Sequence, residues 1–484
     1  MKFPLLAKVG AIALVGLMLA LVLWRIEGLL AERRSRAEEA VRGVERSHAA
    51  AQSVLGPLLV RSCTEQWEDV VDGDKGRTLK PMLREFDLRQ APARLTVDAR
   101  TQTDPLRRGL FKINAWAGHF TVVAEYPSFA SMQPGAPQHA GGRIHCDQPA
   151  LLVALTDVRG VRAAAVTIDG EPRAVEPGAY GTGYAGGLHV TLPTARIEGD
   201  AGGQPLSAHL ELELIGTRQL AWVPAAGSLR WTLRSDWPHP SFGGQFLPEQ
   251  REVRPDGFSA SWNLSALATN AASDIATGLP LCSPSDAGGA PDDSGDPAAR
   301  SDRCHELMSV AFIDPVNPYV LSDRATKYDL LFIVLTFVAV GLIEVLSGRP
   351  VHAVQYALVG LALALFFLLL LSLSEHLPFE RAYAVAASAC ATLLGVYAAS
   401  MLGRALAGLM FGLGIALLYG LLYALLQMEQ NALVIGSVML FAALATVMML
   451  TRRIDWYALF RRMRNADVPP PPVAPLAPDL RGRA

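Results

Sequence analysis

Apolar residues gather at the two ends of this chain, and that arrangement limits its fold more than any motif does. Near the N-terminus, residues 9–24 run without a charge, and residues 3–7 extend the run across Lys8. Beyond residue 327 come five further runs, at residues 328–346, 354–373, 383–402, 405–426 and 432–450. A helix rising about 1.5 Å per residue needs about 20 residues to cross the hydrocarbon core of a bilayer. Each run is long enough, so six spans are expected. The breaks between them are short and polar. A cleaved signal peptide is the alternative for the first run. No small-x-small site follows Leu23, however, and Trp24, Arg25 and Ile26 come next, so an uncleaved signal anchor over residues 1–24 is expected.

Composition agrees with a membrane protein. Of the 484 residues, 51% are hydrophobic and only 18% charged, too apolar for an ordinary cytosolic enzyme. With 43 basic and 45 acidic side chains the formal net charge is -2, which argues against a nucleic-acid partner. Five cysteines are too few for a disulfide scaffold.

Orientation follows from the basic residues at span ends. An even number of spans puts both termini on one side. That side holds Lys2, Lys8, Arg349, Arg404 and the cluster Arg452, Arg453, Arg461, Arg462 and Arg464, whereas the opposite short loops hold only Arg381. Both termini are therefore expected in the cytoplasm, with residues 25–327 in the periplasm of a bacterial inner membrane.

That middle segment is expected to open as a helical stalk over residues 25–52. Ile26, Leu30, Ala37, Val41 and Val44 recur at helical spacing, beside the i,i+4 pairs Glu32/Arg36 and Glu38/Arg42. From Leu95 onward the pattern alternates with period two. Leu210, Leu212 and Leu214 do so, as do Leu229, Trp231 and Leu233, and Phe258, Ala260, Trp262 and Leu264. With Gly/Pro turns between such runs, the fold class is a multi-pass α-helical membrane protein with a large β-rich, antiparallel sandwich-like periplasmic domain. Residues 266–303 are Ala/Ser/Gly/Pro/Asp-rich and read as a mobile loop. A bond between Cys282 and Cys304 would close a ring of about 23 residues, worth about 3 kcal/mol, and Cys63 and Cys146 could pair likewise. Unpaired thiols are the alternative for both. Residues 328–457 form the five-span bundle, and residues 458–484, with Pro469 to Pro472, a disordered cytoplasmic tail.

Motifs that could carry chemistry are few and incomplete. His305-Glu306-Leu307-Met308-Ser309 starts like a zinc-protease helix but has Ser309 where the second His must stand. Gly181-Thr182-Gly183-Tyr184-Ala185-Gly186 matches a dinucleotide fingerprint, but a strand-like run follows it rather than a helix. It reads as a hairpin loop. Asp72-Gly73-Asp74-Lys75-Gly76 is a fragment of a calcium loop and reads as a turn. No cofactor, metal site or catalytic residue is expected. The polar residues at span ends are Glu344, His352, Gln355, Glu375, His376 and Glu429. Charges near bilayer depth are often functional, but these sit where water is reachable and read first as helix caps. Gly408-x-x-x-Gly412-x-x-x-Ala416 and Ala387-x-x-x-Ala391-x-x-x-Gly395 put small residues on one helix face, for packing within the bundle or between copies in a homo-oligomer.

Several longer stretches carry a resemblance. Leu331-Phe332-Ile333-Val334-Leu335-Thr336-Phe337, His352-Ala353-Val354-Gln355-Tyr356, Leu368-Leu369-Leu370-Leu371-Ser372-Leu373-Ser374-Glu375-His376 and Arg452-Arg453-Ile454-Asp455-Trp456-Tyr457 lie in the helical half. Gly56-Pro57-Leu58-Leu59, Arg108-Gly109-Leu110-Phe111, Asp157-Val158-Arg159-Gly160 and Ser235-Asp236-Trp237-Pro238-His239-Pro240 lie in the middle segment. In this order the chain resembles the CreD family of inner membrane proteins. It departs from the family pattern at Glu429-Gln430-Asn431, in the length of 266–303 and in the proline-rich tail. The resemblance implies a link to envelope integrity, colicin tolerance and a carbon-source-responsive two-component regulon. It carries no catalytic residues. The expected function is therefore non-enzymatic: an inner-membrane protein anchored in the lipid bilayer, whose periplasmic domain binds an envelope protein or cell-wall component. The alternative is a transporter or ion-coupled conduit through the helical bundle, with Glu344, Glu375 or Glu429 carrying protons.

Overall fold

The computed structural model describes residues 3–73, 76–109, 111–180, 182–194, 204–284, 304–314, 318–347, 351–427 and 432–452. The chain divides into two compact units, Met1–Leu30 with Pro318–Ala484, and Ala31–Asn317. The architecture is that of a multi-pass helical membrane protein with a large β-rich domain.

The helices are α1 (Phe3–Ser47), α2 (Ala271–Thr277), α3 (Pro318–Thr326), α4 (Asp329–Ser347), α5 (Ala353–Ser374), α6 (Phe379–Leu402), α7 (Ala405–Gln427) and α8 (Ala432–Thr451). The first apolar run and the stalk after it are one helix of 45 residues, ending at Ser47. Among the described residues four helices are long and apolar enough to cross a membrane: α1 from Gly10, α5, α6 and α7. The other two apolar runs form α4 and α8, of 19 and 20 residues.

Strands begin with β1 (Gln52–Gly73), β2 (Gly76–Gln90), β3 (Arg94–Arg108), β4 (Phe111–Tyr126), β5 (Arg143–Cys146) and β6 (Ala150–Leu155). Next are β7 (Val161–Ile168), β8 (Glu171–Arg173), β9 (Glu176–Pro177), β10 (Gly187–Thr191), β11 (Leu206–Thr217) and β12 (Gln219–Trp222). The last are β13 (Ser228–Ser235), β14 (Pro240–Gly244), β15 (Gln250–Arg254), β16 (Gly257–Ser265) and β17 (Met308–Phe312). One sheet has the order β14-β17-β12-β1-β6-β10-β9, with β2 and β5 also paired to β1. The other runs β15-β16-β13-β3-β4-β11-β7-β8. Most pairs are antiparallel, but β1 with β12 and β3 with β13 are parallel, so both sheets are mixed. A core drawn from both sheets lies between them. It contains Val54, Leu59, Val153 and Trp222 from the first, and Val97, Phe120, Leu212, Trp231 and Trp262 from the second. The alternating Leu210–Leu214 and Leu229–Leu233 positions all fall in it.

Residues 52–73 and 76–90 form strands that period-two reading does not find, and burial explains why. Residues 52–61 of β1 are buried on both faces, and residues 54–60 carry no polar side chain; residues 66 and 68–70 are exposed on both faces. Neither half alternates. A bulge between Leu55 and Leu58 sets which face is which. Gly56 sits there at φ 110°, where a Cβ would come within 2.7 Å of the Leu152 carbonyl oxygen. Val54 before the bulge and Leu59 after it consequently both enter the core between the sheets.

Candidate functional site

Beyond Leu59, the same face of β1 carries Arg61, Cys63, Glu65 and Trp67, since alternate residues of a strand share a face. The chain after β4 returns over this face and is tied to it at every one of those positions. The Arg61 guanidinium is buried and donates to the carbonyls of Asp147 (2.9 Å) and Met132 (3.2 Å). Cys63 is disulfide-bonded to Cys146, its direct partner in the β1–β5 register, with a Cα–Cα distance of 4.0 Å. Glu65 is 1% exposed. It accepts from the His139 amide (2.9 Å) and lies 3.3 Å from His139 Nδ1 and 3.6 Å from Arg84 Nη1. Burial opposes its charge, but the hydrogen bonds from the His139 amide and ring and the Gln138 amide outweigh it, and hold the carboxyl below its usual range. Trp67 stacks on His139 with ring centroids 3.7 Å apart.

Beside this latch lies an open groove of about 770 Å³, lined by Arg61, Gln133, Pro134, Thr194 and residues 144–148. The lining is largely polar. It can offer hydrogen bonds and one buried guanidinium to a ligand; it presents no nucleophile–base pair. This is the candidate binding site, and no sequence motif marks it. Its parts come from β1, the segment before β5, β5 itself and the chain after β10, and only folding brings them together.

The second polar cluster of the β-rich unit is closed. His305 Nε2 lies 3.2 Å from the Tyr184 hydroxyl, and Nδ1 lies 4.0 Å from Asp274. Burial lowers the His305 pKa to about 4 and raises that of Tyr184 to about 12. Cys304, next to His305, is bonded to Cys282. Glu306 accepts from the Thr269 hydroxyl (2.7 Å) and the Asn270 amide (2.9 Å) at the start of α2. Met308 opens β17, so the His305-Glu306 segment is not helical and cannot act as a zinc-protease helix. The Gly-rich loop joins β9 to β10, two antiparallel strands.

In the helical unit the span-end residues serve different ends. His352 and Gln355 form a reciprocal capping box at the start of α5: His352 Nδ1 accepts from the Val354 amide (3.3 Å), and Gln355 Oε1 accepts from the His352 amide (2.9 Å). Glu344 accepts from the Tyr356 hydroxyl at 3.0 Å. Glu375 is the C-cap of α5, and the His376 amide donates to the Leu373 carbonyl. Glu429 lies outside the described residues. The two small-residue faces meet each other: a Cβ on Gly408 would fall 2.3 Å from that of Ala399, and one on Gly412 would fall 3.2 Å from the Gly395 Cα. A buried polar line runs beside them, with the Tyr383 hydroxyl donating to the Tyr419 carbonyl (2.7 Å) and the Tyr419 hydroxyl to Cys390 Sγ (3.2 Å). Single aromatic residues in apolar runs gave no sequence signal for it.

Comparison with known proteins agrees along nearly the whole chain. A family model described as inner membrane protein CreD matches residues 4–457. The inner membrane protein CreD of Escherichia coli (strain K12) is 34% identical over 462 residues, covering 95% of each chain. Among solved structures, the M1 zinc metallopeptidase of Deinococcus radiodurans is 10% identical over 46% of this chain and 42% of that one, with a TM-score of 0.19. The form bound to a Tyr-Ser-Ala substrate covers the same shares at a TM-score of 0.20. Likeness at that level bears on neither fold nor activity.

Proposed function

The chain belongs to the CreD family of inner membrane proteins, and from that premise we propose that it is a non-enzymatic protein supporting envelope integrity, whose β-rich unit lies in the periplasm and binds or scaffolds an envelope protein or cell-wall component. Both termini then face the cytoplasm, and the lipid bilayer holds the helices. The observation that carries the reading is the distribution of cysteines. Cys63–Cys146 and Cys282–Cys304 are bonded in the β-rich unit, whereas Cys390 in the helical unit is free. Disulfides persist in oxidising compartments and are rare in the cytosol. The polar groove beside Cys146 supports binding rather than catalysis, because hydrogen-bonding groups converge there without a nucleophile–base pair.

The test is a reporter enzyme, active only outside the cytoplasm, inserted near Gly257 of the full chain. Activity there, with restored resistance to envelope stress in a strain lacking the protein, is expected. A silent reporter, with activity instead from a cytoplasmic reporter at the same position, overturns the reading.

A further inference from the structure

A unit that binds a partner needs a surface suited to it, and the edge of β5 has the right chemistry. We propose that an extended polypeptide segment binds in the groove beside Cys146 by adding as a strand to β5; the proposal rests on the reading that the β-rich unit is a binding unit.

Among the described residues β5 pairs with β1 and with no other strand. The Asp147 amide donates to the Ser62 carbonyl at 2.9 Å. Since backbone groups of an antiparallel strand alternate in direction, Arg143, His145 and Asp147 address β1, while Ile144 and Cys146 direct their N–H and C=O groups away from it. Those two residues line the groove. A donor–acceptor set repeating every second residue along a polar channel is matched by another extended backbone, the mode known as strand addition. A compact anion or an acyl chain would leave most of these groups unpaired.

Exposed edges are usually defended, and the contrast within this sheet is informative. The free edge of β2 carries Lys80, Pro81 and Arg84, the charges and proline that discourage pairing. In β5 the charge sits on Arg143, whose backbone groups face β1, while the two residues that face outward, Ile144 and Cys146, carry neither charge nor proline. The edge is also held ready. Cys63–Cys146 pins β5 to β1, and Arg61 ties Asp147 to Met132 across the base of the groove. A strand arriving there need not order its template first, which favours binding.

The test uses the full-length protein in nanodiscs. The probe is a phage-displayed library of random short peptides, followed by fluorescence anisotropy on synthetic copies of the enriched sequences. Ile144→Pro removes an outward N–H and leaves the β1-facing ladder intact; Ile144→Ala is its control. Loss of about tenfold or more in affinity is expected for Ile144→Pro, the scale of one or two main-chain hydrogen bonds, with near-wild-type binding by Ile144→Ala. N-methylation of the peptide should weaken binding at every second position and be tolerated between. The N-methyl series needs no protein variant, so it decides the matter even if Ile144→Pro fails to fold. Equal binding by both variants, indifference to the phase of N-methylation, or no enriched peptide (the outcome if the chain's own residues fill the groove) overturns the proposal. A cytoplasmic β-rich unit in the reporter experiment would defeat the envelope reading and leave this binding result standing.

Discussion

His305 should make the β-rich unit lose stability in mild acid, by an amount that the structure allows to be worked out. Its side chain is wholly buried, beside the Tyr184 hydroxyl, Asp274 and the Arg89 guanidinium. Burial, the largest cause, and the nearby Arg89 charge together bring its pKa from 6.5 down to about 4, against one backbone hydrogen bond that raises it. The folded protein therefore keeps the ring neutral while the unfolded chain binds a proton as pH falls through 6.5. Stability is full above that pH, declines between 6.5 and about 4, and levels off below. At about 1.4 kcal/mol per pKa unit, the total is about 3–4 kcal/mol. The assay is thermal unfolding of the purified full chain followed by tryptophan fluorescence, which reports chiefly on the β-rich unit because six of the eight tryptophans (Trp67, Trp116, Trp222, Trp231, Trp237 and Trp262) lie in it. His305→Gln keeps a partner for Tyr184 and cannot titrate. Asp274, whose pKa burial and Glu306 raise, titrates in both proteins and largely cancels. The gap between wild type and variant should shrink by several degrees in Tm from pH 7 to pH 4. A gap independent of pH would refute the reasoning.

Three further outcomes follow from the packing and bonding. Gly408→Leu should destabilise the α6–α7 pair by roughly 1–3 kcal/mol, because its Cβ alone meets Ala399 at 2.3 Å; the measurement is the yield and Tm of the helical unit in detergent, and an unchanged Tm refutes it. Replacing Cys282 and Cys304 together by Ser should cost about 3 kcal/mol and remove the sensitivity of that part of the melt to reductant. Glu344→Gln keeps an acceptor for the Tyr356 hydroxyl, so envelope-stress resistance should match wild type, whereas a proton conduit through Glu344 predicts its loss.

Particular elements show why some features could be read from the sequence and others could not. Gly408-x-x-x-Gly412 and Ala391-x-x-x-Gly395 are legible because a helix places every fourth residue on one face. The His352–Gln355 box is legible as polar residues beside an apolar run, although its reciprocal bonding is a matter of geometry. By contrast β1 hides from period-two reading, since it passes from doubly buried to doubly exposed along its length. The groove hides more completely, because Arg61 meets the carbonyls of Met132 and Asp147, 71 and 86 residues away.

Local chemistry settled the partition of this protein. The free energy of burying an apolar run in lipid depends on the run itself, so the helical ends and the β-rich middle are written in the order of residues. The strand neighbours, the cross-strand Cys63–Cys146 bond and the open edge of β5 depend on which distant segments share a sheet. That is decided by the competition among pairings for one common core, and only the folded chain resolves it.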